Sequence, residues 1–177
     1  SIDYRRSFKG LRAIALDDSN SVDRSTHSLS TLFSDINAVG GPRSVPSDMP
    51  IITSCEGYLK NFVGLTGIVS ANDYGNRAPI ATGEVASIAG HPIIATDAMT
   101  ADLNNVGVFD GVTQDKTAYC ILNRNMFRRV LRAGATVSLQ NDITVAGTYM
   151  RARQRVGFQD MSKSGDKAVR YAVKMST

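Results

Sequence analysis

An α+β fold is expected for this chain of 177 residues, and three observations lead to it. Helix-period apolar spacing is confined to the first third of the chain, strand-like segments cluster late, and no internal repeat alternates the two. The composition, 42% apolar and 20% charged, is that of an ordinary folded domain. A chain of this length can bury a working core without a metal or disulfides.

The elements follow in order. Phe8, Leu11, Ile14 and Leu16 form a short apolar patch without a clear period, and the polar run Asp17 to Ser28 reads as a loop. Leu29, Leu32, Phe33 and Ile36 recur at i, i+3, i+4 and i+7, which predicts one inward helix face, capped by Thr26 or Ser28 and ended by Gly40-Gly41-Pro42. Met49 to Thr53 is expected as a buried strand. Ser54 then caps a second helix with Tyr58, Leu59, Phe62 and Val63 inward, stopping near Gly64 or Gly67. Asn72 to Asn76 is a turn by composition. Glu84 to Ile88 and Pro92 to Thr96 flank a Gly90-His91 turn as a strand pair. Residues 97–115 are weakly patterned and are expected to be ordered by neighbours. Thr117 to Leu122, Met126 to Leu131, Ile143 to Val156 and Ala168 to Lys174 are the late strands.

Chemistry is conspicuous by what is missing. No GxSxG elbow or Walker-type loop is present, neither histidine lies in a nucleophile motif, and the carboxylates are scattered, so no enzyme is expected. His91, in a Gly-His-Pro turn, is read as structural. Asp102, Asn104 and Gly107 echo a calcium loop, but Val106 and Thr113 stand where oxygen ligands are needed. Ser164 to Lys167 lacks the order of a phosphate loop. Cys55 and Cys120 read as buried free thiols, and with only two histidines neither a metal site nor a cofactor is expected. No apolar run reaches the ~18 residues of a membrane-spanning helix, and Ser1 to Arg6 has no signal-peptide character.

Charge is the patterned property. Residues 1–115 hold 8 Lys/Arg against 13 Asp/Glu, a balance of −5, whereas residues 116–177 hold 12 against 3, a balance of +9. Arg128, Arg129 and Arg132 fall on one strand and its end; Arg151, Arg153 and Arg155 line one face of another, with Tyr149, while Met150, Ala152, Gln154 and Val156 line the opposite face. Same-sign neighbours on one face repel unless solvent, acids or phosphates lie opposite. Arginine suits such a contact because its planar fork binds carboxylate or phosphate bidentately. These six arginines are therefore the candidate interface residues, facing either solvent or an acidic partner.

The order of segments resembles the Hong Kong 97-type major capsid proteins of tailed phages. The carrying residues are Ser7-Phe8-Lys9-Gly10-Leu11, similar to a Phe-x-Gly-Leu segment, the helix of Leu29, Leu32 and Ile36 with its Gly-Gly-Pro, and the strand–helix unit Ile51 to Phe62. They continue with the Asp73 to Arg77 turn and the phrase Ile88 to Met99, similar to the family's Gly-x-Pro-Val-x-x-x-Asp-x-Met strand. Ala118 to Arg124, and Val145 through Val156-Gly157-Phe158, complete the series. The resemblance implies an axial lobe from residues 26–142, largely complete, and a partial peripheral lobe from 1–25 and 143–177. It implies a structural shell subunit that self-assembles as pentamers and hexamers around double-stranded DNA, in the virion after assembly in the host cytoplasm. Scaffold, portal or decoration proteins are further partners, DNA is touched only non-specifically, and no membrane is involved.

Nothing in the chain resembles the family's N-terminal arm, extended loop or spine helix, which are expected upstream of Ser1, so the chain is read as a fragment, a cleavage product or a short relative. No cross-linking residue is carried over. Two rivals stand beside this reading: an encapsulin-like cellular shell protein, and a basic nucleic-acid-binding module, for which Tyr149 and Phe158 supply too few aromatic stacking surfaces.

Overall fold

The computed structural model describes residues 10–40, 45–65, 68–70, 84–99, 101–112, 115–142, 147–162 and 165–176. The expectations placed on Ser7 to Lys9, Gly41-Pro42, Asn72 to Arg77, Thr113, residues 143–146 and Ser164 lie outside these residues. The fold is α+β, and the chain divides into two compact units. One spans residues 10–126 and 162–176; the other is a ribbon from residues 127–161.

The larger unit contains α1 (Leu11–Asp17), β1 (Ser21–Asp23), α2 (Leu29–Asn37), β2 (Ile51–Thr53), α3 (Cys55–Asn61), β3 (Ile68–Ser70), β4 (Glu84–Ile88), β5 (His91–Ala95) and β6 (Lys116–Leu122). The ribbon is β7 (Phe127–Asp142) with β8 (Gly147–Asp160), and the chain then returns to the larger unit as β9 (Val169–Ser176). The sheet of the larger unit runs β1-β9-β6-β2-β5-β4-β3. It is mixed: β1 lies parallel to β9 and β2 parallel to β5, while the other pairs are antiparallel. Segments from both ends of the chain thus share one sheet with its middle, and the boundaries expected at 25/26 and 142/143 do not coincide with this division.

Local chemistry explains the elements that were anticipated. Ser28 caps α2: its Oγ accepts from the Thr31 N–H at 3.3 Å while Thr31 Oγ1 accepts from the Ser28 N–H at 2.9 Å, a reciprocal capping box. Ser54 caps α3 through the Gly57 N–H at 3.0 Å. Gly57 itself is buried, and a Cβ there would lie 2.8 Å from the hydroxyls of both Ser54 and Thr53. β4 and β5 join one residue earlier than the expected Gly90-His91 turn, through Ala89 (φ 49°) and Gly90 (φ 82°), the two positive-φ residues of a tight hairpin, so that His91 opens β5 opposite Ile88. The His91 Nδ1–H donates to the Met49 carbonyl at 3.1 Å, as its structural reading required.

Several expectations are corrected. The patch at Leu11 is a helix, and Ser21 to Asp23, expected as loop, is a strand; both are short, and α1 and β1 pack on β9. β7 does not stop at Leu131 but runs on to Asp142, and β8 extends past Val156 to Asp160. Phe33 faces outward at 37% exposure, whereas Asp35 is fully buried beside Leu32 and Ile36. On α3, Phe62 is buried, but Leu59 and Val63 are exposed. Cys120 is buried while Cys55, in the first turn of α3, is exposed, with its thiol 3.3 Å from Asp97.

Residues 101–112 are held from within the unit. Leu103 pairs with Lys116 through two backbone hydrogen bonds, Asn104 Oδ1 accepts from the Val106 and Val108 N–H groups, and Gly107 (φ 72°) packs so tightly that a Cβ would meet Val173 Cγ1 at 2.7 Å. That counts against a loop left unordered until neighbours arrive. It also uses the Asn104 carbonyl for the backbone, leaving the calcium-loop echo without that ligand. The core sits where α2, Phe62 and the sheet meet, around Leu32, Ile51, Ile93, Tyr119 and Ile121.

Candidate interaction surface

The candidate surface is the ribbon. β7 and β8 are 16 and 14 residues long and antiparallel, with Phe127 opposite Asp160 at one end and Asp142 opposite Gly147 at the other. Residues directly opposite share a face, and faces alternate along β8. One face carries Met150, Ala152, Val156 and Phe158 of β8, with Leu139, Val137, Leu131 and Arg129 as their partners on β7. The other carries Arg151, Arg153 and Arg155, opposite Ser138, Thr136 and Ala133.

Two register shifts lie between Leu131 and Thr136, each adding one residue to β7. Their physical consequence is decisive. One extra residue would turn Val137 and Leu139 onto the arginine face; two restore the alternation and keep the apolar residues in one stripe. Phe127 and Phe158 stack at the base of that stripe, centroids 5.3 Å apart and planes 9° from parallel. Further out it is bare: Val137 is 61%, Leu139 69% and Met150 72% exposed.

The sequence-predicted arginines are placed as follows. Arg151, Arg153 and Arg155 line one face as the alternation required. Arg128, opposite Gln159, joins that face, and Arg129, opposite Phe158, belongs to the apolar one. Arg132 lies on β7 at the first register shift; its side chain is outside the described residues. Arg128, Arg151 and Arg155 are exposed and pair with no described carboxylate.

Sequence reasoning missed the strongest electrostatic feature, a buried ion cluster in the larger unit. Asp35 accepts from Arg24 bidentately (2.7 and 2.9 Å), from Arg170 Nε at 2.9 Å and from the Tyr119 hydroxyl. Arg170 also donates to buried Asn20 Oδ1 at 2.8 Å, and the Asn20 amide donates to the Val169 carbonyl at 2.7 Å. Burial by itself would raise the Asp35 pKa, but the hydrogen bonds from Arg24, Tyr119 and Arg170 overcome it and hold the carboxyl below its ordinary value. Burial and the Asp35 bond push Tyr119 far up. The only available signal was Asp35's position three residues after Leu32, on the inward stripe.

His27 packs beside this cluster, 4.9 Å from the Phe62 ring and 5.3 Å from that of Tyr119. Both its ring nitrogens are buried without a hydrogen-bond partner. Burial lowers its pKa, opposed by Asp35 and reinforced by Arg24. The unfolded chain therefore takes up a proton near pH ~6.5 that the folded chain resists. Stability is accordingly expected to be full above that pH and to fall as pH drops below it. His27→Phe should flatten this dependence; urea unfolding at pH 7.5 and 5.0 checks it, and an unchanged slope in the variant would assign the effect elsewhere.

Among the described residues no group of three His, Cys, Asp or Glu could hold a metal, and no helix is long and apolar enough to cross a membrane. No family model matches the chain, and no curated protein matches it. Among solved structures it is similar to a chain from Mycobacterium phage Che8, at 13% identity and a TM-score of 0.46, over 92% of this chain and 56% of that one. The chain thus spans a little over half the length of that neighbour.

Proposed function

We propose that the chain is a structural subunit of a Hong Kong 97-type icosahedral shell of a tailed phage or prophage, acting through geometry rather than catalysis. In this reading the axial lobe, residues 26–142, takes most of the seven-stranded unit together with β7, and the peripheral lobe takes residues 1–25 and 143–177, with β8 and β9. The observation that carries it is the ribbon itself. A two-stranded ribbon is marginal alone in water, and this one leaves an apolar stripe bare on one face and a row of arginines on the other. Such a two-sided element is suited to heterologous contacts between copies, which symmetry multiplies into a closed container. The ordered series of family-like segments, from Gly10-Leu11 to Gly157-Phe158, supports the same reading.

The partners are other copies in pentamers and hexamers, together with scaffold, portal or decoration proteins, and the place is the virion. Arg151, Arg153 and Arg155 meet acidic groups of an adjacent copy, the first 115 residues carrying the balancing −5. Replacing all three with Ser in the complete gene product should cut shell yield severalfold at physiological salt with unchanged melting. Normal yield of closed shells by negative-stain microscopy would sink the pairing. The nucleic-acid reading predicts instead an affinity for duplex DNA that falls steeply with salt and is lost in the same variant.

A further inference from the structure

Beside α1 the larger unit holds a cleft of about 570 Å3 with no part in the shell reading. Its walls are apolar, formed chiefly by Ile52, Met99, Leu103, Phe109, Cys120 and Tyr171. The volume falls within the range of small-molecule sites, roughly 300–1,000 Å3. The cleft is also built rather than incidental, since its outer wall is the segment pinned by the Leu103–Lys116 pair, the Asn104 side chain and the tight packing of Gly107.

Among the described residues one charged side chain lines it. Arg12 reaches the Val106 carbonyl at a long 3.4 Å and lies 6.0 Å over the Tyr171 ring, while its Nε is buried without an acceptor. Buried donors are paired in native structures as a rule, so this guanidinium has hydrogen-bonding capacity that the described residues do not use. No described carboxylate neutralises it. The Cys120 thiol, pushed up to about 12 by burial, adds no opposing charge.

We infer that this cleft binds a small amphipathic carboxylate, the apolar body lying between Phe109 and Tyr171 and the anionic head forked onto Arg12. Apolar walls select a hydrocarbon or aryl body, and the unsatisfied planar fork selects two coplanar oxygens over a hydroxyl.

Octanoate and 1-octanol, titrated calorimetrically into the full chain, test it. Octanoate is expected to saturate one site per chain, and Arg12→Gln to weaken it at least about tenfold while leaving 1-octanol unchanged. Ala98→Phe, at the exposed rim of the cleft, should block both and leave the melting temperature as it was. If Arg12→Gln fails to fold, Arg12→Lys serves, with a smaller loss confined to octanoate. Absence of saturable octanoate binding at millimolar concentration would overturn the assignment. So would equal sensitivity of acid and alcohol to Arg12, or binding untouched by Ala98→Phe.

Discussion

Replacing Asp35 with Ala is expected to destabilise the seven-stranded unit by about 3–5 kcal/mol, the cost of breaking a buried ion pair by removing one partner. The carboxylate is fully buried and answers four donor groups at once, two from Arg24, one from Arg170 and the Tyr119 hydroxyl. Without it the two guanidiniums, 19% and 14% exposed, face each other uncompensated, and Tyr119, itself fully buried, loses its acceptor. Asp35→Leu should be no gentler, because the arginines remain. Asp35→Leu combined with Arg24→Met, Arg170→Met and Tyr119→Phe should recover most of the loss, since a matched apolar replacement removes the desolvation cost with the pairing and leaves no orphaned hydroxyl. Urea unfolding followed by circular dichroism at pH 7 measures each; a loss below about 1 kcal/mol for Asp35→Ala would place the cluster with weak surface pairs. The folded carboxyl titrates below its ordinary value. Its contribution is therefore complete above the unfolded value of ~3.9 and disappears as pH falls through the folded one. His27 acts earlier, beginning near pH ~6.5, so acid should weaken this unit in two stages.

What could be read from the residues was local, and what could not depended on partners far along the chain. Ser28, Ser54 and Gly90 announce two caps and a hairpin because the groups they satisfy lie within three residues. Asp35 cannot be read that way. Its inward turn is stabilised by Arg170, 135 positions away, and Tyr119, 84 away, and the same rotation of α2 carries Phe33 outward. α1 and β1 are short elements whose support is β9, near the far end of the sequence. The arginine face was legible because β8 alternates without interruption. The apolar stripe was only half legible: Met150, Ala152 and Val156 keep the period, but on β7 the two extra residues among Arg132 to Ala135 break it, so β7 reads as ending at Leu131.

The stripe kept on one face by those two extra residues makes the ribbon's role testable. Replacing Val137, Leu139 and Met150 together with Ser is expected to abolish shell formation by the complete gene product while leaving the seven-stranded unit's melting unchanged. The three are each more than 60% exposed in the single chain; burying all three against a neighbour is worth at most about 5–9 kcal/mol per contact. Serine forfeits most of that, while the pairs Val137–Ala152 and Leu139–Met150 keep their backbone register. Val137→Ile with Leu139→Met keeps the stripe apolar and should assemble as the native chain does. Sedimentation and negative-stain microscopy of the two variants decide the matter. Equal assembly by both would mean the stripe is a solvated surface. Equal failure would mean that the fit of these particular side chains, rather than the apolar area they offer, makes the contact.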